Sequence, residues 1–371
     1  MRIGILTFHY AHNYGAVLQA FALKTYIASL GYDVKIINYR NNTIASKYTE
    51  KMKSGIPLKS LYHPNLLKRE IRFFLNKKYA KSEWIKQCRN FEQFIEKHLS
   101  DSDILNDSSV LDQKFDLLIV GSDQVWTSQL TGGLDKFYLL DFPFHGHKVS
   151  YGASIACGHI PEQESVFFQR CLKDFRYIST REKTLAQSIN EKFSYQVEVV
   201  LDPTLLLNRD GYISLAQDSC LKSKTKPYVF AYFVVEDSNL HKIARKFADK
   251  YACDLVELHY YAEKGFDKSY QHADYGPAEF LDAVLHADFI FTNSFHGTVF
   301  SIIFEKQFFS IYTKNARIQN LLDSLDISDR HISTDIINAN NKIDYKLVSL
   351  KLDELRKESK NYLNKVCSIT N

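Results

Sequence analysis

The stretch Asp288–Phe309, DFIFTNSFHGTVFSIIFEKQFF, constrains the fold of this chain more than any other. Phe289-Ile290-Phe291 is apolar and long enough for a buried strand, and Asn293-Ser294 breaks it. His296-Gly297 then opens an amphipathic segment, Thr298–Glu305, which stops before a second apolar run at Phe308–Tyr312. Strand, turn, helix and strand in that order predict a parallel sheet. In open parallel sheets, ligands collect outside the carboxyl ends of the strands, beside helix N-termini. Free N–H groups and the positive end of the helix dipole favour an anion there. His296 and Gly297 stand where a phosphate or carboxylate would bind. The other reading is a plain helix start, capped by Asn293 or Ser294, with His296 filling space.

The same alternation runs through the rest of the chain. Arg2–Phe8 reads as a strand, His9–Gly15 as a turn, Ala16–Leu30 as a helix ended by Gly31, and Asp33–Tyr39 as the next strand. Only Gly15 is present in the turn, so no GxGxxG dinucleotide loop is indicated. Phe115–Val120 is a buried strand with Gly121-Ser122-Asp123-Gln124 at its carboxyl end, and Lys148–Ser150 leads into Tyr151–Ser154. A helix is expected over Pro161–Phe175 and a strand over Tyr177–Ser179. Thr180 is placed to cap the following helix and Glu182 to sit in its first turn. Arg181 is out of place at a helix N-terminus unless it meets an anion. Val197–Leu201 ends in Asp202-Pro203. The polar stretch Asn208–Lys226 marks a boundary, after which Tyr228–Val235 begins a second series. Lys346–Val366 is a long charged helix with Leu347, Leu350, Leu355 and Leu363 on one side. Two α/β domains with parallel sheets follow: residues 1–207, 208–345, and a C-terminal helix, 346–371, packing back on the body.

Residues 40–98 carry 14 Lys or Arg against five Glu, with Phe73, Phe74, Tyr79, Trp84, Phe91 and Phe94 interleaved. Such a basic amphipathic segment can lie on an anionic membrane. It can equally be a crossover helix with a solvated basic face. Nucleic acid is the weakest reading, because no recognised module accompanies the charge and the chain's net charge is only +4. The six cysteines form no CxxC pair, which suits a reducing cytosol and gives no zinc signature. No run of apolar residues is long enough for a transmembrane helix, and the N-terminus lacks a signal peptide's pattern.

Six blocks together resemble the polysaccharide pyruvyl transferase family. They are TFHYAHNYGAVLQAFAL at 7–23, IVGSDQVW at 119–126, STREK at 179–183, VLDPTLLL at 200–207, TNSFHGTVFSIIF at 292–304 and ARIQNLLDSLDISDR at 316–330. The resemblance implies a GT-B-like fold, two Rossmann-like domains facing across a cleft. It implies transfer of the pyruvyl group of phosphoenolpyruvate onto two hydroxyls of a sugar, forming a cyclic ketal and releasing phosphate. Relatives often carry Arg-Leu-His where this chain has Ser294-Phe295-His296, so the histidine matches and the arginine does not.

On that reading the donor side comprises Arg181, Ser294, Phe295, His296, Gly297, Thr298 and Arg317, with the N–H groups at Gly297–Thr298 as an anion seat. Arg317 and Arg330 have a second reading as surface or packing residues. His296 contacts the phosphate or acts as the acid, since an imidazole titrates near neutrality. Asp202 or Asp123 is the base, although Asp202 before Pro203 can simply shape a turn. His9, Asn13, Tyr14, Gly15, Ser122, Asp123, Gln124 and Ser154 line the acceptor side. The addition needs no metal or cofactor, and the sequence offers no ligand cluster of recognisable spacing. The acceptor is expected to be a hexose of a surface or capsular polysaccharide precursor. It could be carried on a lipid diphosphate, with the cytoplasmic enzyme held peripherally at the inner face of the plasma membrane. Two rivals stand beside this: a GT-B glycosyltransferase using a nucleotide sugar, and a non-catalytic polysaccharide-assembly protein.

Overall fold

The structure, a computed structural model, describes all residues except 47–66, 68–70, 72–80, 102, 103, 106, 222–225, 236, 237, 260–270, 312–315, 333–340, 370 and 371. Along the chain the strands are β1 (Arg2–Leu6), β2 (Asp33–Ile36), β3 (Leu117–Val120), β4 (His147–Ser150), β5 (Phe175–Thr180) and β6 (Val197–Val199). They continue as β7 (Tyr228–Tyr232), β8 (Asp254–Leu258), β9 (Gln271–His272), β10 (Phe289–Thr292), β11 (Gln307–Ile311) and β12 (His331–Ile332). The longer helices are α1 (Tyr14–Ser29), α2 (Lys81–His98), α3 (Ser165–Leu172), α4 (Lys183–Phe193) and α5 (Arg209–Ala216), followed by α6 (Ser238–Lys250), α7 (Pro277–His286), α8 (Phe295–Ile303), α9 (Ala316–Ser324) and α10 (Tyr345–Cys367).

The chain divides into two compact units. The first takes Met1–Tyr48, Gln93–Asn208 and Ser349–Asn371, and the second takes Thr49–Glu92 and Arg209–Val348. Each holds a six-stranded sheet. In the first the order is β2-β1-β3-β4-β5-β6, and in the second β12-β11-β10-β7-β8-β9. Every recorded pairing is parallel. Chain order therefore reverses between β1 and β3 in one sheet and between β7 and β10 in the other. Those reversals are where an open α/β sheet leaves a crevice for a ligand. Parallel strands covered on both faces read as apolar runs, and Leu117–Val120 is buried at every residue.

Several expected elements shift. Phe175 belongs to β5 and not to a helix, because α3 ends at Leu172. The polar boundary stretch contains α5, whose Tyr212, Leu215 and Ala216 are buried. On α10, Leu347 and Leu350 are exposed, while Val348, Leu352, Tyr362, Leu363 and Val366 are buried. The apolar face is set by what that helix meets, so its leucines alone misplace it. In the first unit Tyr362 donates to Ser150 O at 2.7 Å and Ser359 accepts from Leu201 N.

Most of the basic segment 40–98, including Phe73, Phe74, Tyr79 and Lys77–Lys78, lies outside the described residues. In its described part, Trp84, Phe91 and Phe94 are buried, and Phe94 packs against Phe21 and His98. These three aromatics are inside the protein and so cannot be the ones that enter a lipid surface. Among the described residues, no helix is long and apolar enough to cross a membrane.

Candidate functional site

The carboxyl edge of the first unit's sheet is a mesh of short side chains bonded to neighbouring loops. Thr7 at the end of β1 donates to Ser122 O at 3.1 Å, and buried Gln19 of α1 donates to Thr7 Oγ1 at 2.8 Å. Ser122 donates to Gly152 O, and Ser154 donates to Glu182 Oε1 at 2.9 Å. Gly121 is held at φ 107, and a Cβ there would sit 2.4 Å from Tyr151 O. Only glycine tolerates both the conformation and the approach. Asn13 caps α1 by accepting from Ala16 N at 3.2 Å, while Tyr14 and Gly15 are buried in the first turn. His9 is buried, and that burial brings its imidazole down to about 4, against hydrogen bonds to Thr7 O and Asn38. His12 falls to about 4 for the same reason, with Arg40 adding to the effect.

Arg181 is the hub of this edge. It lies between the end of β5 and α4, and the helix begins at Lys183 with Glu182 as its cap. Thr180 closes the strand and donates to Glu182 O, so it does not cap the helix. Arg181 Nη1 donates to Asp202 Oδ2 at 2.6 Å and Nη2 to Asp123 Oδ1 at 3.4 Å, with Nε 3.7 Å from Glu182 Oε1. Burial opposes the guanidinium's charge, but Asp202, Glu182 and Asp123 outweigh it and hold it protonated. One cation faces three carboxylates. An incoming phosphate would meet an acidic neighbourhood, so this geometry disfavours Arg181 as an anion seat. Asp202 is fully engaged: its carboxylate also accepts from Thr204 N at 3.0 Å and Thr204 Oγ1 at 2.6 Å. That is the turn-shaping alternative in physical form. Asp123 keeps 16% of its side chain exposed, against 0% for Asp202.

In the second unit, the tip of α8 stands at the carboxyl end of β10, beside the sheet's reversal. Ser294 is its cap and accepts from Gly297 N at 3.2 Å. Thr298 N donates to Ser294 O at 3.0 Å. The N–H groups of Gly297 and Thr298 are thus spent inside the turn, which corrects the expectation that they seat an anion. Gly297 instead makes room, since a Cβ there would lie 2.3 Å from Thr292 Oγ1. Its missing side chain lets α8 close on β10. His296 and Phe295 set their rings perpendicular at 5.1 Å, and the Arg317 guanidinium lies over the Phe295 ring at 5.7 Å. His296 is buried to 9% exposure, whereas Phe295 and Arg317 are half-buried. Arg330 follows its packing alternative, donating to Asn341 O at 2.6 Å and lying over Phe309.

Two features escape sequence reasoning. Asn293 does not cap α8. Its Oδ1 accepts from Val234 N at 2.7 Å and its Nδ2 donates to Val235 O at 2.8 Å, fixing the loop after β7 across the reversal. His241, Glu257 and His259 converge although 16 residues and a turn separate the first from the second. The alternation Glu-x-His at the end of a strand was the only signal in the sequence. Burial pushes the Glu257 carboxyl up, but hydrogen bonds from His241 and His259 win and hold it at about 2.

Two open, all-parallel α/β units, each with polar side chains gathered at a reversal of strand order, define a Rossmann-like architecture. The model of the polysaccharide pyruvyl transferase family matches residues 13–315. The chain belongs to that family, and is a transferase acting on polysaccharide. Among solved structures it is similar to the glycosyltransferase SnogD from Streptomyces nogalater, at 10% identity and TM-score 0.44 over 99% of both chains. It is also similar to UDP-GlcNAc 2-epimerase from Neisseria meningitidis bound to UDP-GlcNAc, at 9% identity and TM-score 0.46 over 100% of this chain and 95% of that one. The UDP-GlcNAc 2-epimerase from Methanocaldococcus jannaschii matches at 11% identity and TM-score 0.44, over 95% and 92%. A search of the curated proteins found none that matches.

Proposed function

We propose that this transferase moves the pyruvyl group of phosphoenolpyruvate onto two hydroxyls of a sugar in a surface or capsular polysaccharide precursor. One observation carries the reading: His296 in the first turn of α8, at the carboxyl end of β10, with the Arg317 cation over the adjacent Phe295 ring. The positive end of α8 and Arg317 favour the donor's phosphate and carboxylate. Arg317 takes the part that an arginine at position 294 would otherwise play.

The reaction divides into two additions at C2 of the enolpyruvyl group. The first sugar hydroxyl forms a C2–O bond and gives up its proton, and the methylene carbon gains one. The second hydroxyl then bonds to C2 as the C2–O bond to phosphate breaks, and its proton leaves with the departing phosphate, giving the ketal and inorganic phosphate. His296 is the acid toward the methylene carbon. Asp123 is assigned as the base, because Asp202 is saturated with donors and shut off from solvent. Arg181 holds Asp123 in place through the contact of Nη2 with Oδ1 at 3.4 Å. The remaining polar groups of the first unit's edge, His9, Gln124 and Ser154 among them, are assigned to the sugar.

Placement at the cytoplasmic face of the membrane, on a lipid-diphosphate acceptor, rests on the charge of segment 40–98 alone. Phosphate release from phosphoenolpyruvate, with lipid-linked or free oligosaccharide acceptors, tests the whole reading. Acceptor-dependent release that disappears in folded His296→Ala supports it. Release from a nucleotide sugar of its nucleotide, with phosphoenolpyruvate inert, replaces it with a glycosyltransferase.

A further inference from the structure

A second cluster lies on the carboxyl edge of the second unit's sheet, and the pyruvyl-transfer reading makes no use of it. Glu257 is in β8 and His259 follows the strand directly, so their two-residue spacing puts both side chains on one face of the sheet. α6 presents His241 to that face. His241 Nδ1 lies 3.0 Å from Glu257 Oε1, and His259 Nε2 lies 4.0 Å from Glu257 Oε2. One ligand atom from each of the three lies within 4.8 Å of the others. All three residues are buried. The two imidazoles lie at 4.6 Å with an interplanar angle of 20°, and Phe233 closes against His241 edge-on at 4.9 Å.

From this geometry we propose that His241, Glu257 and His259 form a binding site for one divalent transition-metal ion, zinc by its donor set, which ties α6 to the end of β8. Two imidazole nitrogens and a carboxylate oxygen are donors of zinc's preferred kind. In zinc's tetrahedral geometry, bonds of about 2.0–2.2 Å set ligand atoms about 3.3–3.6 Å apart, so pairs as wide as 4.8 Å close by about an ångström or a little more, within reach of side-chain rotation. Three protein ligands leave the fourth position of the ion to water or another donor.

Arg245, four residues after His241 on α6, is the fourth ionisable group at the cluster. Its Nη2 lies 3.5 Å from Glu257 Oε2, with 35% of the side chain exposed. It balances Glu257 when no metal is bound and has solvent to move into when one is. The metal and Arg245 therefore compete for the same carboxylate. This separates a metal site from a simple ion-pair network.

The test uses the full chain, stripped with a chelator, confirmed folded by circular dichroism and titrated with Zn²⁺. The site takes up one ion per chain, raises the melting temperature and releases protons, measured as a buffer-dependent heat. Glu257→Gln and His259→Gln, which keep side-chain size, lose that uptake, whereas Arg245→Gln binds severalfold more tightly. A Cys157→Ser/Cys220→Ser variant, lacking the exposed thiols, retains it. The proposal is overturned if the folded wild type takes up no ion or gains no thermal stability. It is equally overturned if uptake survives Glu257→Gln and His259→Gln, or if Arg245→Gln leaves affinity unchanged. None of these readouts depends on which donor substrate the enzyme uses.

Discussion

Arg181 Nη1 donates to Asp202 Oδ2 at 2.6 Å, and both side chains are almost wholly shut off from solvent, at 4% and 0% exposure. The pair holds the end of β5 to the turn after β6. Removing the cation strands Asp202, Glu182 and Asp123 together. Breaking a buried pair by deleting one partner costs about 3–5 kcal/mol. Arg181→Ala should lose stability of that order in urea unfolding, and Arg181→Lys, which keeps the charge but not the fork, should lose less. A variant as stable as the wild type would show that the guanidinium is not what holds this edge.

Asp123→Asn and Asp202→Asn should fail in different ways. The first is expected to keep the fold and lose about 10²–10⁴-fold in turnover, the usual worth of a general base. The second should mainly lose stability, since Asp202 also caps the turn at Thr204. Turnover measured beside the unfolding midpoint of each variant separates the two roles.

Gly297→Ala drives a methyl group into Thr292, whose Oγ1 would be 2.3 Å away. Overpacking of this kind costs typically about 1–3 kcal/mol. Thr292→Ala alone also destabilises, because Thr292 donates to Tyr232 O and accepts from Ser294 N. The double variant should be more stable than the two single losses added together. Strict additivity in that cycle would mean that α8 and β10 do not meet through this pair.

His9 makes stability depend on pH. Its folded pKa is lowered from 6.5 to about 4 by burial, so between those values the unfolded chain binds the extra proton. Stability is complete above about pH 6.5 and is lost as the pH falls toward about 4, by an amount on the order of 3 kcal/mol from this residue. Unfolding free energies at pH 7 and pH 4.5 should differ less in His9→Gln than in the wild type. An equal difference in both would remove His9 as the source.

The strands and their parallel class were legible because buried runs such as Leu117–Val120 and Phe289–Thr292 admit few other readings. Polar roles were harder to read. That Ser294 spends the N–H groups of Gly297 and Thr298 depends on a cap that the letters Asn-Ser leave ambiguous. That Arg181 is matched by carboxylates from three loops depends on side chains 21 and 58 residues apart. A periodicity does not report such meetings. The same holds for His241 and Glu257, joined only when α6 folds onto β8.

The direct measurement is thermal unfolding of the wild type and of His296→Ala with phosphoenolpyruvate or a nucleotide sugar, because a ligand bound only by the native state raises the melting temperature. Phosphoenolpyruvate should stabilise the wild type, fail to stabilise folded His296→Ala, and outdo any nucleotide sugar. A nucleotide sugar that stabilises the wild type while phosphoenolpyruvate leaves its melting temperature unmoved would contradict the assignment of the donor to the tip of α8.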